Sequence, residues 1–267
     1  MKTKTKRPPN PLRVLSQSKP GALSQTVGRA LAILRTFDRD QNELGVTEIS
    51  ERLALPKTIV FRLIQTLKEY DFLERNPNNS KYRIGVGAFE VGNLFKNSTL
   101  EAESAPFMRQ LVDETGHTAQ LAVLYQAEMV IIARMEGRGP LKYGVSVGER
   151  RSLHSSAVGK AALSMLSEAH VDSLLAQSGL KKFTPHTVTD IRQLKSDLAQ
   201  IRTRGYSVNW EENTAGVASL AAPIVSRHSH TLAALALAFP ATPAAKKDLP
   251  RIGKLLSAAG RALAARV

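Results

Sequence analysis

The chain contains no cysteine among its 267 residues, which excludes disulfide bonds, thiol catalysis and thiolate metal sites. It also lacks any apolar run close to the ~20 residues that a membrane-spanning helix needs. Its first twenty residues lack the apolar core of a signal peptide. These absences lead us to expect a cytoplasmic protein with no membrane segment.

Acidic residues are few compared with basic ones. The chain has 23 Asp and Glu against 37 Lys and Arg, a formal net charge of +14. Residues 1–100 carry 17 basic and 9 acidic side chains, a net charge of +8, whereas the other 167 residues carry 20 and 14. Such a balance favours a polyanionic partner, most simply nucleic acid, although a membrane surface also attracts basic chains.

The N-terminal segment is basic and rich in proline. Residues 1–20 contain six cations and four prolines and no acid. A segment of this composition buries too little apolar surface to fold by itself. We therefore predict a disordered basic tail over residues 1–22.

Two amphipathic segments that meet at Leu55-Pro56 predict a helix-turn-helix motif over residues 46–65. Ile49 and Leu53 fall on the inner face of the first segment. Proline suits the first turn of the second helix, where a missing N–H costs nothing. The inner face of that second helix repeats at helical spacing, with Val60, Leu63, Ile64 and Leu67.

A second arc of the same helix carries groups that can contact DNA. It lies about half a turn around the helix from the apolar arc, at ~100° per residue. Its members offer two cations, a hydroxyl, an amide and an aromatic ring, which suit phosphates, base edges and thymine methyls. We predict that this arc enters the major groove, with Lys57, Thr58, Phe61, Arg62 and Gln65. A polar arc on an isolated helix is more often only a solvated surface.

The following residues predict a wing, and this context favours the DNA-binding interpretation. Residues 72–75 and 81–84 alternate around the turn-forming segment 76–80. Arg75, Lys81 and Arg83 give the hairpin positive charge that can contact the DNA backbone. With a preceding helix over residues 25–37, whose inner face is predicted to include Val27 and Leu31, the motif becomes a three-helix winged domain.

The rest of the chain predicts an α+β domain with a largely antiparallel sheet. A helix over residues 86–96 is followed by another that opens at Pro106 and stops at Gly116. Strands are predicted over residues 119–125, 129–135, 142–147, 206–211, 220–225 and 232–239. Helices are predicted over residues 156–166, 168–177, 190–203 and 244–265.

The sequence resembles the isocitrate lyase regulator (IclR) family of bacterial transcription factors from Gln25 onward. The motifs that carry the resemblance are V-G-R-A-L from Val27, L-P-K-T-x-V-x-R-L-I-Q-T-L from Leu55, V-G-E-R from Val147, L-H-x-x-A-x-G-K-A from Leu153 and G-V-x-x-L-A-A-P-I from Gly216. The resemblance implies a winged helix-turn-helix joined by a linker helix to a GAF-like effector-binding domain. It also implies a homodimer or dimer of dimers and a small-molecule effector, commonly an organic or aromatic acid.

This resemblance divides the chain into four parts: a tail (1–22), a winged helix-turn-helix domain (23–85), a linker helix (86–105) and an effector domain (106–267). Matching the family's pocket by motif gives six effector-binding residues: Ala157, Val158, Asn209, Ser219, Ala236 and Ala238. The last two lie on the final strand, where other members place hydroxyls. We expect a ligand with an apolar body rather than a small dicarboxylate, unless both alanines only face the core.

No pattern for catalysis, metal or cofactor binding is complete. Gly159-Lys160 lacks the earlier glycine and the following hydroxyl of a phosphate-binding loop. His228 and His230 lack a convincing third metal ligand, and His154 lacks the elbow and acid of a catalytic triad. The charged group Glu149, Arg150 and Arg151 could steer an acidic ligand or form only a surface cluster.

We therefore expect a ligand-responsive, sequence-specific DNA-binding transcriptional regulator of a catabolic or metabolic operon. Its partners would be a roughly palindromic double-stranded DNA operator and a small-molecule effector, without a cofactor. Two alternatives belong to other classes. An enzyme acting on a small organic acid predicts turnover, and an architectural DNA-binding protein predicts salt-sensitive binding that ignores metabolites.

Overall fold

The computed structural model describes residues 23–38, 41–95, 99–139, 145–225 and 232–267. These residues form two compact units that divide between residues 95 and 96. The predicted tail, residues 1–22, and the pair His228 and His230 lie outside the described residues. Within the described residues, no helix has both the length and the apolar character to cross a membrane.

Among the described residues, the first unit contains four helices and a small hairpin. Its elements are α1 (Gln25–Leu34), α2 (Val46–Leu53), α3 (Lys57–Glu69), β1 (Leu73–Arg75), β2 (Tyr82–Ile84) and α4 (Val86–Phe95). The two strands pair antiparallel, and Leu44 adds a bridge to Tyr82. The buried core joins helices and hairpin, with Ile33, Leu44, Ile49, Leu53, Val60, Leu63, Ile64, Leu73 and Tyr82. This arrangement confirms the winged helix-turn-helix.

The turn between α2 and α3 has a fixed backbone conformation. Ala54 caps α2 in the left-handed region, with a φ of 53°. The Ser50 hydroxyl donates a hydrogen bond to the Leu55 carbonyl at 2.6 Å. Pro56 stands at the N-cap of α3, one position before the helical turn in which it was predicted. The chain therefore enters α3 directly from a constrained turn.

The predicted inner face of the first helix is wrong in part. Val27 and Leu31 are 57% and 55% exposed, whereas Ala32 and Ile33 are buried. The apolar surface of α1 is wider than the core that covers it, so Val27 and Leu31 are exposed at i and i+4, and Leu23, just before the helix, is exposed as well. The helix also ends at Leu34 rather than at residue 37.

The second unit is built on a six-stranded antiparallel sheet. Its strands are β3 (Thr118–Tyr125), β4 (Glu128–Met135), β5 (Arg150–Ser152), β6 (Ser207–Trp210), β7 (Val217–Val225) and β8 (Leu232–Pro240), in the order β5-β4-β3-β8-β7-β6. Every pairing is antiparallel. The α+β fold class and the largely antiparallel sheet are therefore confirmed.

Helices cover both faces of this sheet. They are α5 (Thr99–Thr115), α6 (Ala157–Ser164), α7 (Glu168–Ser178), α8 (Ile191–Arg204) and α9 (Pro243–Ala264). One core lies between the sheet and helices α5 and α9, and includes Leu237, Phe239 and Leu256. A separate core lies on the other face with α6, α7 and α8, and includes Ala236 and Leu163. Alternate residues of β8 therefore enter different cores.

Two predicted elements differ from the structure. Residues 145–147 of the predicted third strand are not strand, and 142–144 lie outside the described residues. Gly148, with a φ of 87°, turns the chain there, and β5 pairs with β4 only afterwards. Helix α5 begins at Thr99 and contains Pro106, because good helix formers such as Glu101 and Ala102 precede the proline.

Candidate functional site

The outer surface of α3 presents the residues that were predicted to read DNA. Lys57, Thr58, Phe61 and Arg62 are exposed, and the Phe61 ring is 52% exposed although it is apolar. Gln65 differs from these four because it is half-buried and its Nε2 donates to the Tyr82 hydroxyl at 3.2 Å. Gln65 therefore ties α3 to the hairpin, while the other four form one exposed strip.

The cations of the helix and the wing differ in their partners. Lys57 and Arg62 make no side-chain hydrogen bond or ion pair with the residues that the structure describes. In the wing, Lys81 Nζ lies 3.1 Å from Glu48 Oε1, and Arg83 pairs with Glu74. Arg75 donates to the Ser80 hydroxyl at 2.8 Å. Phosphate would have to displace internal partners at the wing but not at Lys57 or Arg62.

Glu43 fixes the tip of the wing. Its carboxylate accepts hydrogen bonds from Asn76 Nδ2 at 2.8 Å and Asn79 Nδ2 at 2.7 Å. These bonds lower the pKa of Glu43, with smaller contributions from Arg83 and Lys81. The Asn76 and Asn79 side chains also accept from the backbone N–H groups of Asn78 and Lys81. Hydrogen bonds within the first unit thus hold the turn in one conformation.

All six residues predicted to bind the effector line one cavity in the second unit. The strand residues share one face of the sheet: Asn209 is in register with Ser219, and Ser219 with Ala238. Ala236 follows one row along, in register with Gln120. Ala157 and Val158, in the first turn of α6, cover this face. The cavity has a volume of about 40 Å³.

Seven further residues line the cavity and were not predicted as binding residues. They are Gln120, Val145, Arg151, Ser156, Asn213, Thr214 and Val217. Arg151 had been noted only as a possible steering charge, and Ser156 and Val217 fall inside quoted motifs. Gln120 lies in the middle of β3, where nothing in the strand pattern distinguishes it from a core residue. Asn213 follows β6 in a segment without a motif of its own.

Arg151 and Asn213 bring the two edges of the sheet together. Arg151 belongs to β5 at one edge, and Asn213 follows β6 at the other. Arg151 Nη1 donates to Asn213 Oδ1 at 3.3 Å, and Arg151 Nη2 also pairs with Glu149 at 2.8 Å. The sheet must therefore curl, and its concave face encloses the cavity. The Arg151 side chain, only 14% exposed, places a positive charge in the cavity wall.

Close backbone contact fixes the start of α6. Ser156 caps the helix by accepting from Gly159 N at 3.1 Å. A Cβ at Gly159 would lie 2.4 Å from the Leu153 carbonyl oxygen, so only glycine fits against that strand end. The adjacent Lys160 points into a buried ion pair with Glu212. Gly159 and Lys160 therefore have packing roles in this unit.

Asn209 holds the cavity wall together. Its Nδ2 donates to the Ser155 carbonyl at 2.6 Å, and its Oδ1 accepts from Glu212 N at 3.0 Å. One side chain thus links β6, the cap of α6 and the turn after β6. Burial raises the pKa of the Glu212 carboxyl, while the charge of Lys160 acts in the opposite direction.

His154 has the surroundings of a neutral structural histidine. Its ring nitrogens contact the Ser152 hydroxyl at 2.8 Å and the Lys181 carbonyl at 2.9 Å. Burial lowers its pKa, so it stays uncharged at neutral pH. Within the described ranges, no group of three potential ligands could hold a metal ion.

Comparison with known proteins gives consistent matches for both units. The model of the IclR helix-turn-helix domain matches residues 26–77, and that of the bacterial transcriptional regulator IclR C-terminal domain matches residues 93–265. The HTH-type transcriptional regulator XynR of Escherichia coli K12 is 33% identical over 240 residues, covering 90% of this chain and 95% of XynR.

Solved structures share the fold. A transcriptional regulator from Alicyclobacillus acidocaldarius has a TM-score of 0.81 at 25% identity, covering 91% of this chain and 99% of its own. An IclR homolog from Microbacterium hydrocarbonoxydans, complexed with 4-hydroxybenzoate, has a TM-score of 0.79 at 23% identity, covering 91% and 98%. These matches cover nearly the full length of this chain and of each chain with which it is compared.

Proposed function

The chain belongs to the IclR family of bacterial transcriptional regulators, and on that premise we propose how it selects DNA and effector. It binds a roughly palindromic operator of a catabolic or metabolic operon as a homodimer or dimer of dimers. When an organic or aromatic acid enters the cavity of the second unit, the affinity of the protein for that operator changes. The change in operator affinity can be no larger than the difference between the ligand's affinities for the two conformational states of the protein.

The observation that carries the DNA-binding half is the exposed strip of α3. Lys57 and Arg62 are cations without partners in the described ranges, and they flank the exposed ring of Phe61. Arginine can contact guanine through two hydrogen bonds, and an apolar ring suits a thymine methyl. The strip therefore supports major-groove contact by α3, with Arg75, Lys81 and Arg83 holding the flanking backbone.

Exposed apolar surface supports self-association of the first unit. Val27 and Leu31 are exposed on α1 and Leu23 just before it, and α4 exposes further large apolar side chains, Val86, Phe89, Val91 and Leu94. Monomeric soluble proteins rarely leave such surface uncovered. A two-fold homodimer places two copies of α3 symmetrically, which requires a roughly palindromic operator.

The observation that carries the ligand half is the convergence of the six motif-matched residues on one cavity that also contains Arg151. Ala157, Val158, Ala236 and Ala238 give it apolar walls. A guanidinium that is largely withdrawn from water can pair with a carboxylate through charge-assisted hydrogen bonds. Walls and charge together support an acid with an apolar body. The Microbacterium homolog, which holds 4-hydroxybenzoate, is consistent with this class.

The DNA-binding half is tested on DNA selected by the protein from random sequences. Arg62→Ala should lower affinity about 10- to 100-fold and relax base preference, because a base contact contributes roughly 1–3 kcal/mol. Arg192→Ala removes an exposed arginine from α8 of the second unit, away from the strip, and is the matched control. Equal affinity and sequence preference for Arg62→Ala and wild type would contradict the assignment.

The ligand half is tested by placing a charge in the cavity. Ala236→Asp should abolish the stabilisation by organic acids in a thermal-shift screen and the change in DNA affinity that they cause, while DNA binding without ligand persists. Ser178→Asp adds the same charge at an exposed position of α7 and should respond like wild type. A normal response of Ala236→Asp would remove β8 from the binding site.

A further inference from the structure

Gln120 is a polar residue in an apolar strand, and it faces the cavity. It is 6% exposed, and its strand neighbours Ala119, Leu121 and Ala122 are fully buried. The Nε2 atom of Gln120 is buried and has no hydrogen-bond acceptor in the described part of the chain. Buried amide groups nearly always have a partner, so this donor calls for an explanation.

Three other polar side chains of the wall, by contrast, have partners within the fold. The Ser156 hydroxyl donates to the Ser152 carbonyl, and Asn209 uses both ends of its amide inside the fold. Asn213 accepts from Arg151 and donates to the Ser155 hydroxyl at 3.1 Å. The cavity is therefore not short of internal partners in general. Among the described residues that line the cavity, Gln120 Nε2 is the buried side-chain atom that lacks a hydrogen-bond partner.

The fold itself does not require an amide at this position. Gln120 is in register with Ala236 on one side and Arg134 on the other. A leucine of similar size would fill the space without leaving a donor unpaired, and unpaired buried donors destabilise a protein. A polar group kept at such a site, next to the residues that match the family pocket, indicates a partner that arrives from outside.

We propose that Gln120 is a ligand-binding residue that donates from Nε2 to a neutral oxygen of the effector. The effector is then a hydroxy- or oxo-substituted carboxylic acid with an apolar body: the carboxylate pairs with Arg151, and the second oxygen reaches Gln120. This inference rests on the proposed function and specifies its ligand.

The charge of the cavity wall explains why the effector group that reaches Gln120 should be neutral. Among the described residues that line the cavity, Arg151 is the one with a positive charge, and it already forms an ion pair with Glu149. A second carboxylate would be buried against an uncharged amide, which is costly. A hydroxyl suits Gln120 because it can accept from Nε2 and also donate to Oε1.

The test measures ligand preference in the full-length protein by calorimetry. The probes are benzoate with 3- and 4-hydroxybenzoate, and butyrate with 3- and 4-hydroxybutyrate. For wild type, at least one hydroxy acid should bind about tenfold more tightly than its parent acid, because a site built for a hydroxyl rejects the analogue without it. In Gln120→Leu the preference should fall to within about twofold, while the parent acid binds as before.

Two outcomes would overturn this inference alone: parent acids that bind wild type as tightly as the hydroxy acids, or a hydroxyl preference that survives in Gln120→Leu. Gln177→Leu, at an exposed position of α7, is the control for the substitution and should keep the preference. Binding of none of the acids to wild type would overturn the proposed acid effector, and this inference with it. The two failures are therefore distinguishable.

Stability without ligand gives an independent measurement. Gln120→Leu should melt at or above the wild-type temperature, because it removes an unpaired buried donor. A clear decrease would show that the amide is satisfied within the fold and would overturn the inference. Gln120→Met repeats the measurement with an unbranched side chain, in case leucine does not pack.

Discussion

Each unit of the protein contains a lysine–glutamate pair, and the two pairs differ in their exposure to water. In the winged unit, the Lys81 and Glu48 side chains are 40% and 44% exposed. In the effector unit, those of Lys160 and Glu212 are 3% and 9% exposed. The Lys81–Glu48 pair is therefore solvated, and the Lys160–Glu212 pair is enclosed.

This difference in exposure means that the two pairs respond differently to the loss of one partner. A solvated pair contributes little to stability, so Lys81 can exchange Glu48 for a DNA phosphate at small cost. A buried pair cannot lose one partner without leaving an uncompensated charge, so Lys160 and Glu212 hold α6 against the turn after β6. The winged unit keeps its cations available, and the effector unit uses its polar groups to shape a cavity.

The largest expected effect tests the buried pair. Lys160→Met should lower the free energy of unfolding of the effector unit by about 3–5 kcal/mol at neutral pH, because Glu212 is left buried and unpaired. Lys195→Met removes a more exposed lysine, paired with Asp172, and should cost less than about 1 kcal/mol. Chemical denaturation measures both. Equal losses would show that burial does not distinguish the pairs.

The loss caused by Lys160→Met should also depend on pH. Burial raises the pKa of Glu212 above its ordinary value of 4.5 and the charge of Lys160 opposes this rise, so removal of Lys160 should raise that pKa further. Stability linked to this group is complete below pH 4.5 and falls as pH rises through the folded pKa. The penalty should therefore be smaller at about pH 5 than at about pH 8. A penalty independent of pH would exclude Glu212 as its source.

The second effect tests backbone packing in the two units. Gly159→Ala should lower stability by roughly 1–3 kcal/mol, because its Cβ has no room beside the Leu153 backbone. Gly92→Ala, on α4 of the winged unit, meets nothing within 4 Å and should be neutral or stabilising. Thermal denaturation would separate the two variants. Tolerance of alanine at Gly159 would show that α6 can move away from the strand.

The third effect compares neighbouring arginines of β5. Arg151→Gln should weaken acid binding about 10- to 100-fold, as expected for a lost charge-assisted hydrogen bond of roughly 1.5–3 kcal/mol. Arg150 pairs with Glu128 outside the cavity, and Arg150→Gln should stay within about twofold of wild type. Titration of benzoate by calorimetry measures both. Similar losses would indicate general steering by charge instead of a contact in the cavity.

The smallest effect tests the solvated pair of the wing. Lys81→Ala should reduce DNA affinity only a few-fold and lower the slope of affinity against salt concentration by about one. Glu48→Gln frees Lys81 and should raise affinity slightly, while its amide can still accept from Gly45 N. Anisotropy measured over a series of salt concentrations gives both numbers. A loss of DNA affinity as large as that of Arg62→Ala would indicate that the wing contributes as much as α3 to DNA recognition.

The sequence predicted features that depend on local periodicity. The two arcs of α3 follow from spacing along one helix, and the structure buries Val60, Leu63 and Ile64 while it exposes Arg62. Motif matching also selected six of the thirteen residues that line the cavity, although their role in ligand binding stays a prediction. The order of helices and strands was largely foreseeable because turn-forming residues separate them.

Features that depend on distant residues were missed. Lys160 and Glu212 are 52 positions apart, and no local pattern indicates that they meet. Gln120 stands out only when its burial and its lack of an acceptor are known. Val27 and Leu31 were predicted to be inside because an apolar stripe does not reveal whether the chain's own core or another surface covers it.

The alanines of β8 have a consequence for how regulators of this kind can change. Ala234 and Ala236 face the same core as α6, and Ala238 joins Ala236 in the cavity wall. Because these side chains end at Cβ, they leave space open in the cavity along β8. Single substitutions there can trim or polarise the space while the strand keeps its backbone pairing. Under the proposed function, such substitutions would change which acid is bound while α3 stays unaltered.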